Sequence, residues 1–449
     1  MTLIEFFDKD AINNVCFSLV KKPERVVFVG DKLKAMEQSA RRCHALLAEK
    51  GVNVHFSCRV VNKNNIRTIV NRLSEIIEQY DDCVFEVGGG EDLYLVAIGI
   101  VFQKYQMGSA PGIRGESFFS KLKSLFQNDP QSIPEKRVQL CRFNLRDNTI
   151  IDLNLNEQTT PQKDALRISV EELISIYGGA VVYEEQKKGT TYRWILTPKF
   201  VNDVKSMWDI CRSDVQLWNT QINVIEAAAS LNRSKDSLKT SVSMEALNAE
   251  LRRRQLKYVA VHSIFSRLSQ KGLLTSYECA DDRFSVEFKD EQVKRCLTSS
   301  GQVLELIVYF VMKAVKNDDK TPTYDDVMTG VHIDWDGVIH TKRGDYDTEN
   351  EIDVIATRGA TPIFVSCKNG AVEPDELYKL EAVATRFGGS NARKILVATA
   401  LGRSSGDNYL RQRAADMGIR IVESRNENGT RLRLVDLNIE QMKNVFRSL

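Results

Sequence analysis

The sequence predicts an α/β protein built in three parts. These are a Rossmann-like unit over residues 1–160, a winged-helix-like connector over 161–297 and a second α/β unit over 298–449. Three observations carry this. Strand-like and helix-like runs alternate through the first ~105 residues, which implies a parallel sheet with helices on both faces. From about residue 200 the pattern turns helical and ends in a hairpin signal. Beyond residue 298, short β-branched runs return between amphipathic stretches, as in a mixed sheet.

Taken in order, "RVVFVG" (Arg25–Gly30) is a β-branched run that ends in Gly-Asp. The stretch from Lys32 to Lys50 is helix-like and is closed by Gly51. "VNVHFSCRVV" is the next strand, Asn64 to Tyr80 is helix-periodic, "CVFEVGGG" is a third strand, and "EDLYLVAIGIVFQKY" is an apolar helix. Residues 106–135 are rich in Gly, Ser and Pro and read as an excursion. "KRVQLCRFNL" and "TIIDLNLN" extend the sheet, and "NEQTTPQKD" is a polar link. In "ISVEELISIYGG", Ser169 followed by Glu172 spells a capping box with a Gly-Gly stop.

The connector contains "QINVIEAAASL", "KYVAVHSIFSRLSQKG" and a hairpin, "LLTSYECADDRFSVEF", that turns at Asp281-Asp282. The last unit opens on the apolar helix "GQVLELIVYFVMKAVK". The strands "GVHIDWDGVIH", "NEIDVIATRG" and "PIFVSCKNG" follow. Then come a helix from Asp375 to Phe387, the strand "KILVATA", a helix around "DNYLRQRAADMG" and the strand "IRIVES".

Composition excludes several classes. The 449 residues are 43% hydrophobic and 27% charged, ordinary values for a soluble globular protein. A net charge of +2 gives no global basic field, so any polyanion site is local. The nine cysteines are dispersed with no C-x-x-C pair, which argues against structural zinc and suits a reducing compartment. The first residues lack a basic leader, and no apolar run is long enough to cross a bilayer, so a cytoplasmic location is expected with no membrane partner.

The chemistry concentrates on "PIFVSCKNG", an apolar strand that delivers Lys368 to its end. The preceding strand, "NEIDVIA", carries Asp353 within an equally apolar run, on the same face as Glu351. A carboxylate in such a place needs a cation. An acid and an amine on adjacent strands suit a divalent metal and a water beside a scissile phosphate.

These residues resemble the PD-(D/E)XK nuclease superfamily, which places an Asp on one strand and an acid-x-Lys tripeptide on the next. The matching positions are Asp353 and Ser366-Cys367-Lys368. The resemblance implies a restriction-endonuclease-like unit with Asp353, Lys368, Ser366, Glu381 and Glu305 in catalysis and Mg²⁺ or Mn²⁺ as cofactor. Asp353, Glu381 and the Cys367 carbonyl would be the metal ligands. Ser366 stands where the family usually has a carboxylate, and serine is a poor ligand for a hard cation. Either the second acid comes from the following helix, as Glu381 or alternatively Glu376, or the site is inactive. Glu305 lies in an apolar helix where the superfamily often has a glutamate. Cys367 is not expected to be a nucleophile, and His332 and His340 read as ordinary strand residues.

In the first unit, "VFEVGGGEDLYLVA" is a strand, a glycine turn and a helix start, but its spacing is not the dinucleotide G-x-G-x-x-G. Gly30-Asp31 would lie on the same carboxyl-end rim, where open α/β sheets bind ligands. A Rossmann-like sensor, a winged-helix middle and a PD-(D/E)XK end together resemble the CRISPR ancillary nucleases of type III systems, which carry a CARF (CRISPR-associated Rossmann fold) domain. That family implies a homodimer activated by a cyclic oligoadenylate, most often cyclic tetraadenylate, for cleavage of single-stranded RNA or DNA, nicked duplex included. It assigns the ligand rim to Gly30, Asp31, Gly88, Gly89, Gly90, Glu91 and Asp92. Two other functions fit parts of the chain. One is a ligand-responsive transcription regulator that uses the winged helix and the Arg252–Arg254 cluster. The other is a restriction-type endonuclease without a sensor.

Overall fold

The computed structural model describes residues 1–106, 137–145, 147–161, 163–232, 237–256, 263–340, 349–401, 407–423 and 439–448. The excursion expected over 106–135 lies outside the described residues from residue 107 on.

The chain opens with β1 (Thr2–Phe6), α1 (Cys16–Lys21), β2 (Arg25–Gly30), α2 (Leu33–Glu49), β3 (His55–Val60), α3 (Ile66–Gln79), β4 (Asp82–Glu86) and α4 (Asp92–Gln106). β5 (Arg137–Asn144), β6 (Thr149–Asp152) and β7 (Glu157–Thr159) follow. They form one sheet in the order β3-β2-β1-β4-β5-β6-β7. β1 to β5 are parallel, and β6 and β7 add antiparallel. This is the Rossmann-like sheet expected, with one correction at its centre. The stretch "TLIEF", not read as a strand from sequence, is β1, and it pairs with both β2 and β4. The chain therefore reverses direction across the sheet at β1, creating a switch point whose crevice lies outside the carboxyl ends of β1 and β4. The link "NEQTTPQKD" also supplies the short edge strand β7.

Next come α5 (Val170–Ile176), β8 (Ala180–Val181), α6 (Pro198–Ser213), α7 (Val215–Leu231), β9 (Lys239–Ser243), α8 (Met244–Arg253), α9 (Ser263–Gln270), β10 (Leu274–Cys279), β11 (Arg283–Phe288) and α10 (Glu291–Leu297). The capping box on α5 forms as its sequence dictates: Ser169 Oγ accepts from the Glu172 amide, and the Glu172 carboxylate accepts from the Ser169 amide. From α7 to β11 the order is helix, strand, two helices and a hairpin, with a sheet ordered β10-β11-β9. That is the order of a winged helix. Residues 257–262, the first part of the stretch "KYVAVHSIFSRLSQKG", lie outside the described residues.

The last part contains α11 (Gln302–Ala314), β12 (Asp326–Asp334), β13 (Glu349–Arg358), β14 (Thr361–Lys368), α12 (Pro374–Gly388), β15 (Arg393–Ala398), α13 (Asp407–Asp416), β16 (Ile419–Glu423) and α14 (Ile439–Arg447). Its sheet is mixed and runs β16-β15-β14-β13-β12-β8. The edge strand β8 comes from the 161–297 span, so this sheet is completed by residues well upstream.

Both faces of this sheet are covered. Ile355, Phe364 and Leu396 share one core with Val170 and Leu173 of α5 and with Leu3, Ile12 and Phe17 of the first unit. Val354, Val365 and Val397 share another with Trp208, Trp218 and Ile307 of the helices α6, α7 and α11. This sheet is thus the middle layer, packed between the Rossmann-like unit and the connector. Its strands are apolar on both faces, which explains why they read as near-continuous hydrophobic runs.

Candidate active site and ligand rim

β13 and β14 pair antiparallel up to Val354 opposite Val365. Just past that pair the Asp353 side chain turns to β14. Its Oδ2 accepts from the Cys367 amide at 2.5 Å and from Ser366 Oγ at 3.3 Å. The Thr329 hydroxyl holds the Asp353 carbonyl at 3.0 Å. Asp353, Ser366 and Cys367 are therefore one hydrogen-bonded unit at the parting of two strands.

Lys368 follows directly. Its Nζ lies 2.9 Å from Glu376 Oε2 in the first turn of α12. Burial alone would lower its pKa, but Glu376 and Asp353 outweigh burial and raise it, so the amine is a cation. Burial pushes the Asp353 carboxyl up to about 6; the Cys367 amide and Lys368 pull against this, while Glu351 adds to it. Glu305, on the first turn of α11, comes to the same place. Burial, then Asp353 and Glu351, raise its pKa well above the usual range, while Lys368 and a 2.9 Å bond from Gln302 Nε2 oppose this. Two carboxyls that resist ionisation beside one ammonium mark a site short of positive charge.

The end of β14 is pinned from the connector. Asn369 Nδ2 donates to Asn219 Oδ1 on α7 at 3.0 Å and to the Ser300 carbonyl at 2.9 Å. Thr399 at the end of β15 donates its amide to the Lys368 carbonyl at 3.0 Å. Nothing in the sequence signals Asn219, because the contact spans 150 residues.

Glu381 is not brought to this cluster. It faces the other way along α12, where its carboxylate meets Lys394 Nζ at 2.5 Å and Thr385 Oγ1 at 3.0 Å. The helical turn decides this: Glu376 and Glu381 are five residues apart and point to different sides. Of the two helix acids weighed from sequence, Glu376 is the one beside Lys368. His332 Nε2 lies 3.7 Å from the Glu351 carboxylate. The Cys367 thiol is pushed far up by burial and by Asp353, which leaves it no thiolate character. All nine cysteines are free.

Among the described residues, no three His, Cys, Asp or Glu side chains gather into a complete metal cage. Mg²⁺ does not need one, since it is usually held by one or two carboxylates with substrate phosphates and water completing the shell. Asp353, Glu305 and the Cys367 carbonyl fit that pattern by donor chemistry.

In the first unit, the expected rim residues lie at and just beyond the carboxyl ends of β2 and β4, from Gly30 at the end of β2 to Asp92 at the start of α4. Lys63, after β3, ties two of them together: its Nζ is 2.9 Å from Glu91 and 3.9 Å from Asp31. Gly90 has φ +93°, and its amide donates to Asp8 Oδ2 at 3.2 Å. Gly88 donates to the buried Glu86 at 2.8 Å. A Cβ on Gly30 would stand 3.0 Å from Phe7 Cβ, one on Gly88 2.5 Å from Glu86 Oε1, and one on Gly89 2.9 Å from Asp8 Oδ2. The glycines let the backbone close around Asp8 and Glu86. Asp92 begins α4 as an acid in its first turn. Asp8 and Lys63 went unnoticed in the sequence; their position after a strand was the available signal, and for Asp8 that strand was itself missed.

Two arginines of the Arg252–Arg254 cluster are engaged, as is Arg267. Arg253 and Arg254 both bind Glu250, at 2.6 and 2.7 Å, and Arg254 also binds Glu226 at 2.7 Å. Arg267 donates to Ser213 Oγ at 2.6 Å. Among the described residues, no helix is long and apolar enough to cross a membrane.

Residues 290–439 match the family model of the Card1-like endonuclease domain. The fold as a whole is similar to protein VC1899 from Vibrio cholerae, with a TM-score of 0.67 at 17% identity, covering 100% of this chain and 96% of that one. It is also similar to Can2 from Sulfobacillus thermosulfidooxidans, solved in complex with cyclic tetra-adenylate, with a TM-score of 0.60 at 14% identity, covering 94% of this chain and 95% of that one. No curated protein matches the chain significantly in sequence. Residues 290–439 thus resemble the Card1-like endonuclease domain, and the fold over 94% of the chain resembles that of Can2.

Proposed function

We propose that the protein is a cyclic oligoadenylate-activated, metal-dependent endonuclease of type III CRISPR defence that cuts single-stranded RNA or DNA. The observation that carries this is the convergence of Asp353, Glu305 and Lys368, from two strands and a helix, inside a segment that matches an endonuclease family.

Asp353 and Glu305, with the Cys367 carbonyl, would hold Mg²⁺ or Mn²⁺. When bound, such an ion polarises a phosphoryl oxygen and acidifies water. The protein's own groups do the rest. The Cys367 amide and Ser366 hydroxyl fix Asp353. Lys368, restrained by Glu376, presents a fixed positive charge to the phosphate oxygens as water adds to phosphorus and the P–O ester bond breaks. Ser366 acts as an orienting hydroxyl rather than as a ligand. The second carboxylate, absent from the slot at Ser366, is supplied by Glu305.

The rim of the first unit is the activator site in this reading. Asp8, Asp31 and Glu91 offer acceptors to adenine amines and ribose hydroxyls, and Lys63 offers a cation. The ligand bound to Can2, on a shared fold, supports cyclic tetraadenylate as the candidate. A ring with two-fold symmetry suits a homodimer that uses the same rim twice. The engaged arginines of the connector favour this over a transcription regulator. The test is cleavage of labelled single-stranded RNA and DNA with metal and cyclic tetraadenylate supplied singly and together. Cutting only when both are present supports the reading; duplex cutting without the messenger, or binding without cutting, contradicts it.

A further inference from the structure

An open cleft of about 1320 Å³ separates the Rossmann-like unit from the endonuclease unit. Two arginines line it, one from each unit. Arg42 comes from α2 and Arg386 from the last turn of α12. Both guanidinium groups meet at the turn after α5. Arg386 donates to the Tyr177 carbonyl at 2.7 Å and to the Trp335 carbonyl at 2.9 Å. Arg42 Nη1 lies 3.1 Å from where a Cβ on Gly178 would stand.

Neither guanidinium has an ion-pair partner among the described residues. Of the acids that line the cleft, Glu381 pairs with Lys394, while Asp8, Asp10 and Asp336 accept hydrogen bonds from neutral groups: Gly90, Tyr177 with Ser390, and Val338. Arg42 Nε is shielded from solvent with no acceptor among the described residues. Burial, then the Arg42 charge, lowers the Arg386 pKa. Two like charges on facing units, one with an unused donor, are costly unless a third group of opposite charge sits between them. The planar, multi-donor guanidinium is suited to phosphate oxygens.

We propose that this cleft is a binding site for a phosphate or phosphodiester anion, bridged between Arg42 of the first unit and Arg386 of the endonuclease unit. The site is separate from the Asp353–Lys368 cluster and stands whether or not the nuclease reading holds. Anion binding there would replace a repulsion between units by a shared ligand, and so draw them together.

The test is titration of the full-length protein with inorganic phosphate, read by ³¹P line broadening and calorimetry. Arg42→Gln loses no hydrogen bond seen in the structure, so it should fold as the parent does. It is expected to weaken phosphate binding at least tenfold, and Arg386→Lys about as much, since lysine keeps the charge but not the fork. Absence of phosphate binding to the parent protein, or binding in both variants as tight as the parent's, overturns the proposal. A parallel titration with cyclic tetraadenylate separates the sources. A matching loss in Arg42→Gln assigns the anion to the ring's phosphodiester, and an unchanged affinity assigns it to free phosphate. Loss of single-stranded oligonucleotide binding with phosphate binding intact would overturn the site in favour of a strand-binding surface.

Discussion

The Lys368 amine and the Glu376 carboxylate form an ion pair at 2.9 Å that joins the end of β14 to the first turn of α12. A lysine has four rotatable bonds, and its head is useful to a phosphate only when it is held. Glu376→Gln removes the charge and keeps the shape. Turnover is expected to fall about tenfold with KM for the oligonucleotide nearly unchanged, because a ground-state contact is not lost. Single-turnover kinetics check this; an unchanged rate would show that Glu376 only decorates the helix.

Asp10 links the same helix to the ligand rim. Its carboxylate accepts from the Ser390 amide at 2.7 Å and the Ser390 hydroxyl at 2.9 Å, just beyond the end of α12. Two residues earlier, Asp8 accepts from Gly90 on the rim and from the Asp10 amide at 2.8 Å. One short loop thus touches both the rim and the endonuclease unit. Asp10→Ala is expected to leave activator affinity within about twofold while activated cleavage falls about tenfold, a split that a binding defect would not give. It should also cost about 1–3 kcal/mol of stability, since the Tyr177 hydroxyl and the Ser390 amide lose their acceptor.

Much of this was legible in the sequence, for identifiable reasons. β14 and β13 stand out because they are buried on both faces, so Lys368 and Asp353 appear as exceptions within apolar runs. The capping box of α5 is local chemistry and needs no tertiary knowledge. What escaped is long-range or short in span. β1 has five residues, one of them Glu5, and only its pairing with β2 and β4 makes it the centre of the sheet. The choice between Glu376 and Glu381 depends on the rotation of α12 over β14, and that is set by its packing. β8 joins a sheet more than 140 residues downstream, which no periodicity can announce.

Glu5 and Glu86 stand opposite each other on β1 and β4. Glu5 is 1% exposed, and neither of its oxygens has a partner among the described residues. Burial, then Glu86, raises its pKa well above the usual range, and burial raises Glu86 to about 7 against three backbone amides. An acid with a raised folded-state pKa takes up protons more readily folded than unfolded. Its effect on stability is therefore most favourable below the ordinary carboxylate range and is lost as pH rises through the folded value. Glu5→Gln removes that dependence. Its Tm should exceed the parent's at pH 8 and converge with it at pH 5; a gap that does not change with pH would contradict the burial of an ionisable pair.

Gly90 tests the rim. Its φ of +93° and a would-be Cβ only 2.6 Å from Phe6 Cβ and 3.0 Å from the Tyr94 ring leave no room for a side chain. Gly90→Ala is expected to move the Gly88–Glu91 turn and to weaken cyclic tetraadenylate binding at least tenfold, with the divalent-metal response of the endonuclease unit unchanged. Calorimetry with the activator checks the first, and a metal-dependent Tm shift checks the second.

The most direct measurement is the activated cleavage rate of Lys368→Ala, taken beside its affinity for cyclic tetraadenylate. The account predicts a loss of at least a hundredfold in cleavage with activator affinity within about twofold, because it assigns Lys368 to the phosphate and Lys368 lies on a different sheet from the rim. Cleavage at the parent's rate would contradict it, and the active site would have to lie elsewhere.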